Sequence, residues 1–255
     1  GHDSQVHELR SHCRQLKAAQ RLYIHLIDLP LDMALPENIW VGYELSFQCN
    51  GQDEWTSVVQ EAPHLLYPGK NTLGFVLKNR LDHVLHGSCR KPHHAATDGL
   101  LCVDELLSDA LDSPAERPAV LLMTGDQVYA DDVAGPMLVA IHALVRRLGL
   151  YGEQLEGAVV NNSDELMTHP ASYYRREQLL PAFKSNEALR ERFFGGVEKP
   201  VFTTANGQNH LISLGEVMAM YLLVWSPTPW SLIAPQMPAL EPAEAERYRS
   251  EEACL

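Results

Sequence analysis

The chain has 255 residues, 45% hydrophobic and 21% charged, enough apolar material for a real core and too much for a disordered tail. With 33 acidic and 20 basic residues its formal charge is -13. That balance argues against a general nucleic-acid binder, but not against a phosphorylated substrate, because bound cations can reverse a local field. Five scattered cysteines (Cys13, Cys49, Cys89, Cys102 and Cys254) with no CxxC pair give neither a disulfide framework nor a zinc ribbon, and suit a reducing compartment. No run reaches the roughly 18 apolar residues of a membrane span; residues 217–225 come nearest and are followed by Pro227 and Pro229. No signal-peptide pattern opens the chain, and Gly1-His2 resembles a remnant of tag removal. A cytoplasmic location is therefore expected, with the natural amino terminus left open.

Residues 6–20 place Val6, Leu9, Cys13, Leu16 and Ala19 at helical spacing, which predicts a short amphipathic helix. The pattern then changes to strands over 22–29, 39–48, 55–59 and 72–78, separated by Pro30, Pro36, Asn50-Gly51, Pro63 and Pro68-Gly69. Strands this close suggest a small antiparallel sheet or sandwich, with Tyr43, Leu45, Phe47 and Cys49 alternating against polar neighbours as a half-buried strand does. Residues 1–82 thus read as a helix plus a β-rich region.

From residue 83 the pattern alternates. A strand over 83–88, a helix over 98–111, an apolar strand over 119–123 and a helix over 133–148 ended by Gly149 form a parallel α/β unit. The apolar run 119–123 predicts burial on both faces. Segments 171–182, 186–194 and 209–225 read as further helices, and the last 25 residues end without a closing strand. The expected fold is mixed, α+β or α/β: a small sandwich-like region, then an α/β domain over 83–255.

In a parallel α/β sheet, functional groups gather where strands hand over to loops at their carboxyl ends. Here those loops are HGSCRKPHH (86–94) and TGDQVYADD (124–132), both dense in groups that bind metals: Cys89, His93, His94, Asp126, Tyr129, Asp131 and Asp132. Gly125 permits a sharp turn and a close approach to an ion. A carboxylate can bridge two cations, and a phenolate is a hard ligand suited to ferric iron. The alternatives are that Asp126 caps a helix, Tyr129 packs, Cys89 is a small buried hydrophobe, Asp98 caps its helix, and His93-His94 are solvated. Arg90 has the chemistry to hold a phosphate bidentately. No Walker loop, dinucleotide glycine pattern or GxSxG elbow occurs.

The stretch LLMTGDQVYADDVAGPM, with HGSCRKP upstream, resembles the metallophosphatase domain of alkaline phosphatase D (PhoD-like) proteins, in the calcineurin-like phosphoesterase superfamily. Gly125-Asp126-x-x-Tyr129 is similar to the GDxxY element in which an Asp bridges two metals and a Tyr binds iron, and Ser88-Cys89 matches the Ser-Cys pair of PhoD-like proteins. A sandwich ahead of the catalytic domain, and a segment similar to 209–227, also belong to that family. The resemblance implies a metal-dependent phosphomonoesterase or phosphodiesterase acting on a small phosphoester. Cys89, Asp126 and Tyr129 would be ligands to a dinuclear site of iron with calcium, zinc or manganese, and Arg90 would assist catalysis.

The chain departs from the family in lacking an Asp-Asp-His or GHxH element; its last histidine is His210, and Asn209-His210 has no preceding glycine. The expectation is therefore the amino-terminal part of a longer enzyme carrying half a site and inactive alone. The alternative is a non-catalytic or degenerate interaction module of the same fold.

Overall fold

The computed structural model describes residues 12–49, 51–92, 97–180, 204 and 206–253. These residues form a mixed α and β structure whose strands pair two by two. The chain divides into two compact units: Gly1–Asp28, Lys91–Thr97 and Gln127–Leu255 form the first, and Leu29–Arg90 with Asp98–Asp126 the second. The division does not follow a single cut after residue 82.

The helix expected over 6–20 is not formed in its described part. Cys13–Ala19 is a strand, β1, in an antiparallel hairpin with β2, Leu22–Ile27, and the register runs from Cys13 opposite Ile27 to Lys17 opposite Tyr23. A short isolated helix is marginal in water. The run LYIHLI needs a strand partner, and the turn at Gln20-Arg21 supplies one. Within the same unit, the amides of Gln20 and Arg21 donate to the carbonyls of Gly149 and Leu148 at 3.1 and 2.9 Å, anchoring the turn.

In the second unit, β3 (Trp40–Tyr43) pairs antiparallel with β6 (Leu73–Val76), and β4 (Ser46–Phe47) with β5 (Thr56–Ser57); a one-turn helix, α1 (Val58–Glu61), follows β5. The run 39–48 breaks at Glu44-Leu45, so Tyr43 and Phe47 stay exposed and the half-buried alternation is not realised. Trp40 anchors this region between Lys70 and Arg117, whose cations lie 5.4 and 5.5 Å from its ring.

β7 (Val84–Gly87) and β8 (Val120–Met123) are parallel neighbours, as expected, with Val84 opposite Val120 and Gly87 opposite Met123. The crossover carries α2 (Gly99–Asp109), capped by Asp98, whose carboxylate accepts from the Leu100 amide at 3.1 Å. Burial of β8 on both faces is not observed: Leu121 and Leu122 are exposed, because a strand in a two-stranded pair has one neighbour and its faces stay partly open.

The first unit holds the main core. Helix α3 (Gly135–Leu148) ends at Gly149, which adopts the left-handed conformation (φ 63°) that the expected stop requires. Its Met137, Leu138, Ile141 and Leu144 pack with Met220 and Leu223 of α5 (Leu214–Trp225); α4 (Ser163–Thr168) precedes α5 and α6 (Pro242–Glu252) follows it.

Two expected elements differ, and one helix is additional. Over 171–182 the described residues form turns and a short 3₁₀ turn at Arg176–Leu179, because Tyr174 is left-handed (φ 63°) and its amide donates to Asn209 instead of continuing a helix. The helix read over 209–225 begins at Leu214, since Ser213 and Glu216 form a capping box there. The proline-, glutamate- and alanine-rich tail contains α6, started by Pro242 in its first turn. The segment 186–194 lies outside the described residues. Among the described residues no helix is long and apolar enough to cross a membrane.

Candidate functional site

The parallel register of β7 and β8 ends with Gly87 beside Met123, so the two loops singled out in the sequence leave the sheet side by side. The Thr124 amide extends the ladder to the Gly87 carbonyl (3.3 Å), and Thr124 Oγ1 bonds His86 Nε2 at 2.6 Å. The next residues on each strand are Ser88-Cys89 and Gly125-Asp126. A Cβ on Gly125 would collide with Ser88 Oγ and stand 3.0 Å from Cys89 Sγ. Gly125 is therefore needed for close approach; its φ is not among the left-handed ones.

Cys89 does adopt a left-handed backbone (φ 57°), a conformation that costs a non-glycine residue about 1–3 kcal/mol and clusters at functional positions. Its Sγ lies 3.1 Å from Ser88 Oγ and 3.9 Å from Asp126 Oδ2. The exposed thiol and carboxylate form a sulfur-oxygen pair of the kind that zinc or iron accepts. Their separation is one that a single cation spans with bonds of about 2.3 Å to sulfur and 2.1 Å to oxygen. The pair fits a metal; among the described residues no group of three or more His, Cys, Asp or Glu side chains comes together to hold one.

Arg90 follows the thiol and is fixed by Asp98, with Nε 3.1 and 3.0 Å from the two carboxylate oxygens and Nη2 2.7 Å from Oδ2. The Arg90 hydrogen bonds hold the Asp98 carboxyl below its usual range, against partial burial and with help from the Leu100 amide. Asp98 is thus both helix cap and anchor for Arg90.

The remaining candidates belong to the first unit. Lys91 Nζ bonds Asp132 Oδ2 at 2.6 Å and lies 5.0 Å from the Tyr129 ring centroid. Asp131 is half-buried. Asn209 is 2% exposed, and its amide group bridges the Tyr174 amide (2.6 Å) and the Val133 carbonyl (2.9 Å), a packing role. His210 gives its carbonyl to Arg176 Nε at 2.8 Å, and its Nδ1 faces the Leu211 carbonyl at 2.6 Å. His93 and His94 lie outside the described residues.

The residues that sequence reasoning missed are His142, Tyr173, Arg176 and Glu216, all in the first unit. Glu216 Oε1 meets His142 Nε2 at 2.7 Å and Arg176 Nη2 at 2.6 Å, while its Oε2 accepts the amides of Ile212 (2.8 Å) and Ser213 (3.0 Å). Burial alone would raise the Glu216 carboxyl, but Arg176, then His142, hold it well below the usual carboxylate range. Burial pushes the His142 imidazole down, against the pull of Glu216. A neutral His142 donates its Nε2–H to the ionised Glu216, so Nδ1 accepts from Tyr173 Oη at 2.8 Å. Arg176 Nη1, 3.3 Å from His142 Nε2, lies equally near the carbonyl and hydroxyl of Ser172, which are its acceptors. The visible signal was Ser213-x-x-Glu216 opening an apolar run, a capping-box pattern.

Comparison with protein-family models, with curated proteins and with solved structures finds no match to this chain.

Proposed function

We propose that the chain carries part of the active site of a metal-dependent phosphoesterase of the PhoD-like type, with Cys89 and Asp126 as ligands of one cation. The observation that carries this reading is the 3.9 Å approach of Cys89 Sγ to Asp126 Oδ2 at the adjoining tips of two parallel strands. Two loops 37 residues apart, each resembling a ligand loop of that family, deliver a thiol and a carboxylate to one place. Bound there, iron, zinc, calcium or manganese supplies Lewis-acid polarisation of phosphate oxygens and acidification of water. The chain's own residues do the rest. Gly125 leaves room for the Ser88-Cys89 turn, and Asp98 holds Arg90 next in sequence to the thiol as a cation for the phosphate.

The test is cobalt(II) titration followed by the thiolate-to-metal charge-transfer band, with hydrolysis of bis-p-nitrophenyl phosphate in parallel. The band is expected in the wild type and absent in Cys89→Ser. Affinity should fall by about tenfold or more in Asp126→Asn. Turnover by this chain should be slow, because two or three ligands hold two cations poorly, and should rise in a longer chain bearing an Asp-Asp-His element. A cobalt spectrum and affinity unchanged by Cys89→Ser and Asp126→Asn would remove the reading and favour the non-catalytic module.

A further inference from the structure

A second place in the molecule has the features of a ligand site. In the first unit a cleft of about 520 Å³ opens between α3 and the proline-rich segment after α5, with Val139, Met167 and Pro235 in its walls and Arg146, His169 and Tyr173 among its polar groups. The volume lies within the roughly 300–1,000 Å³ of small-molecule pockets, which pair apolar walls with a few fixed polar groups. Arg146 is exposed, and among the described residues it has no hydrogen-bond or ion-pair partner. His169 accepts the Ala171 amide at Nδ1 (3.0 Å), which leaves Nε2 as its donor.

Tyr173 links this cleft to the buried network. Its hydroxyl reaches His142, which with Glu216 and Arg176 is fully buried. Glu216 is saturated by four donors, so His142 Nε2 carries a proton and Nδ1 is the acceptor for Tyr173. Burial pushes the Tyr173 phenol up, which keeps its proton in place. With that proton committed inward, a ligand that reaches the Tyr173 oxygen from the cleft meets it as an acceptor, so the ligand group there must be a donor. Among the described residues Arg146 is the one arginine or lysine lining the cleft, which suits a single negative charge.

We infer that this cleft binds a small hydroxylated carboxylic acid, its carboxylate at Arg146, its hydroxyl at Tyr173 and its apolar body against Val139, Met167 and Pro235. The network below is then a positioning device: it fixes the Tyr173 ring and the direction of its proton, so that donor and acceptor are not interchangeable. This inference is independent of the metal site and stands or falls without it.

The probe is 3-(4-hydroxyphenyl)propanoate, titrated into the full chain by NMR beside its uncharged amide and beside 3-phenylpropanoate, which lacks the hydroxyl. Saturable binding of the hydroxy acid is expected, with each analogue about fivefold or more weaker, the loss from one missing charged or neutral hydrogen bond. Arg146→Gln should bring acid and amide to equal affinity. Tyr173→Phe should bring hydroxy acid and 3-phenylpropanoate together while keeping the preference for acid over amide. Arg146 is exposed and unpaired among the described residues, so its variant is expected to keep the wild-type fold. Absence of saturable binding, equal affinity for all three probes in the wild type, or acid-over-amide preference surviving in Arg146→Gln would each overturn the inference.

Discussion

In the first unit Leu138, Ile141, Leu144 and Met220 have no exposed surface, whereas in the second unit Ala110, itself 6% exposed, is the one buried apolar residue among the described residues. The two units have similar raw material, since β8 and the leucines of α2 are as apolar as α3. The difference is geometric. Helix α3 presents a continuous stripe over 14 residues, and α5 meets it along its length. Two-residue and four-residue strands in pairs cannot close over their own faces, so Leu121, Leu122 and Leu106 remain exposed. Rigidity is thus concentrated in the first unit, while the Cys89–Asp126 pair lies in the second, more open one. Low local stability is where binding elements are commonly found.

Breaking the buried network should have the largest effect. Glu216→Ala leaves Arg176 as an unpaired buried charge, and a loss of about 3–5 kcal/mol in denaturant unfolding is expected. The same network sets the response to pH. His142 has its pKa lowered from 6.5 by burial, so its contribution is complete above that value and declines as pH falls through it. Glu216, held below its ordinary 4.5 by Arg176 and His142 against the effect of burial, adds a second decline beneath about that pH. Denaturation midpoints measured from about pH 8 down to about pH 2 should therefore fall in two stages, the first beginning near the ordinary His value and the second near the ordinary Glu value, and His142→Gln should remove the first. A flat profile would show that the trio does not hold the unit together.

Leu138→Ala tests the core directly, with an expected loss of about 2–5 kcal/mol. Gly125→Ala comes next, at about 1–3 kcal/mol, because its methyl group meets Ser88 Oγ and presses on the Cys89 thiol. That variant should also weaken cobalt binding, which a purely structural glycine would not do. Leu122→Ala, at a side chain 45% exposed, should change stability by less than about 1 kcal/mol. If Leu122→Ala proves as damaging as Leu138→Ala, the contrast between the units is wrong.

Local chemistry was legible in the sequence where a single short pattern decides the outcome. The stripe of α3 with its Gly149 stop, the Asp98 cap and the parallel pairing of β7 with β8 all follow from spacing and alternation. The adjacency of Cys89 and Asp126 follows from that pairing, because loops at the ends of neighbouring parallel strands must meet. The hairpin β1–β2 was hidden because Cys13, Leu16 and Ala19 satisfy a helical period, and the decision rests on the partner strand. The break at Tyr174 depends on Asn209, and the burial of Glu216 on His142 and Arg176; these partners are distant in sequence and no local window contains them.

The two-strand width of every described sheet also governs how its amide hydrogens exchange with solvent deuterium. In an antiparallel pair, consecutive N–H groups point alternately toward the partner strand and away from it. Along Cys13–Lys17 and its partner residues Tyr23–Ile27 this gives an alternation of slow and fast sites, interrupted by the register shift before Ala19, while α3, bonded along its own axis, has exchange-resistant amides in an unbroken run after its first turn. A strand added at either margin, from another molecule or another stretch of chain, would slow the fast set and leave the slow set unchanged. The exchange pattern of these short strands is therefore a residue-by-residue detector of any further strand pairing.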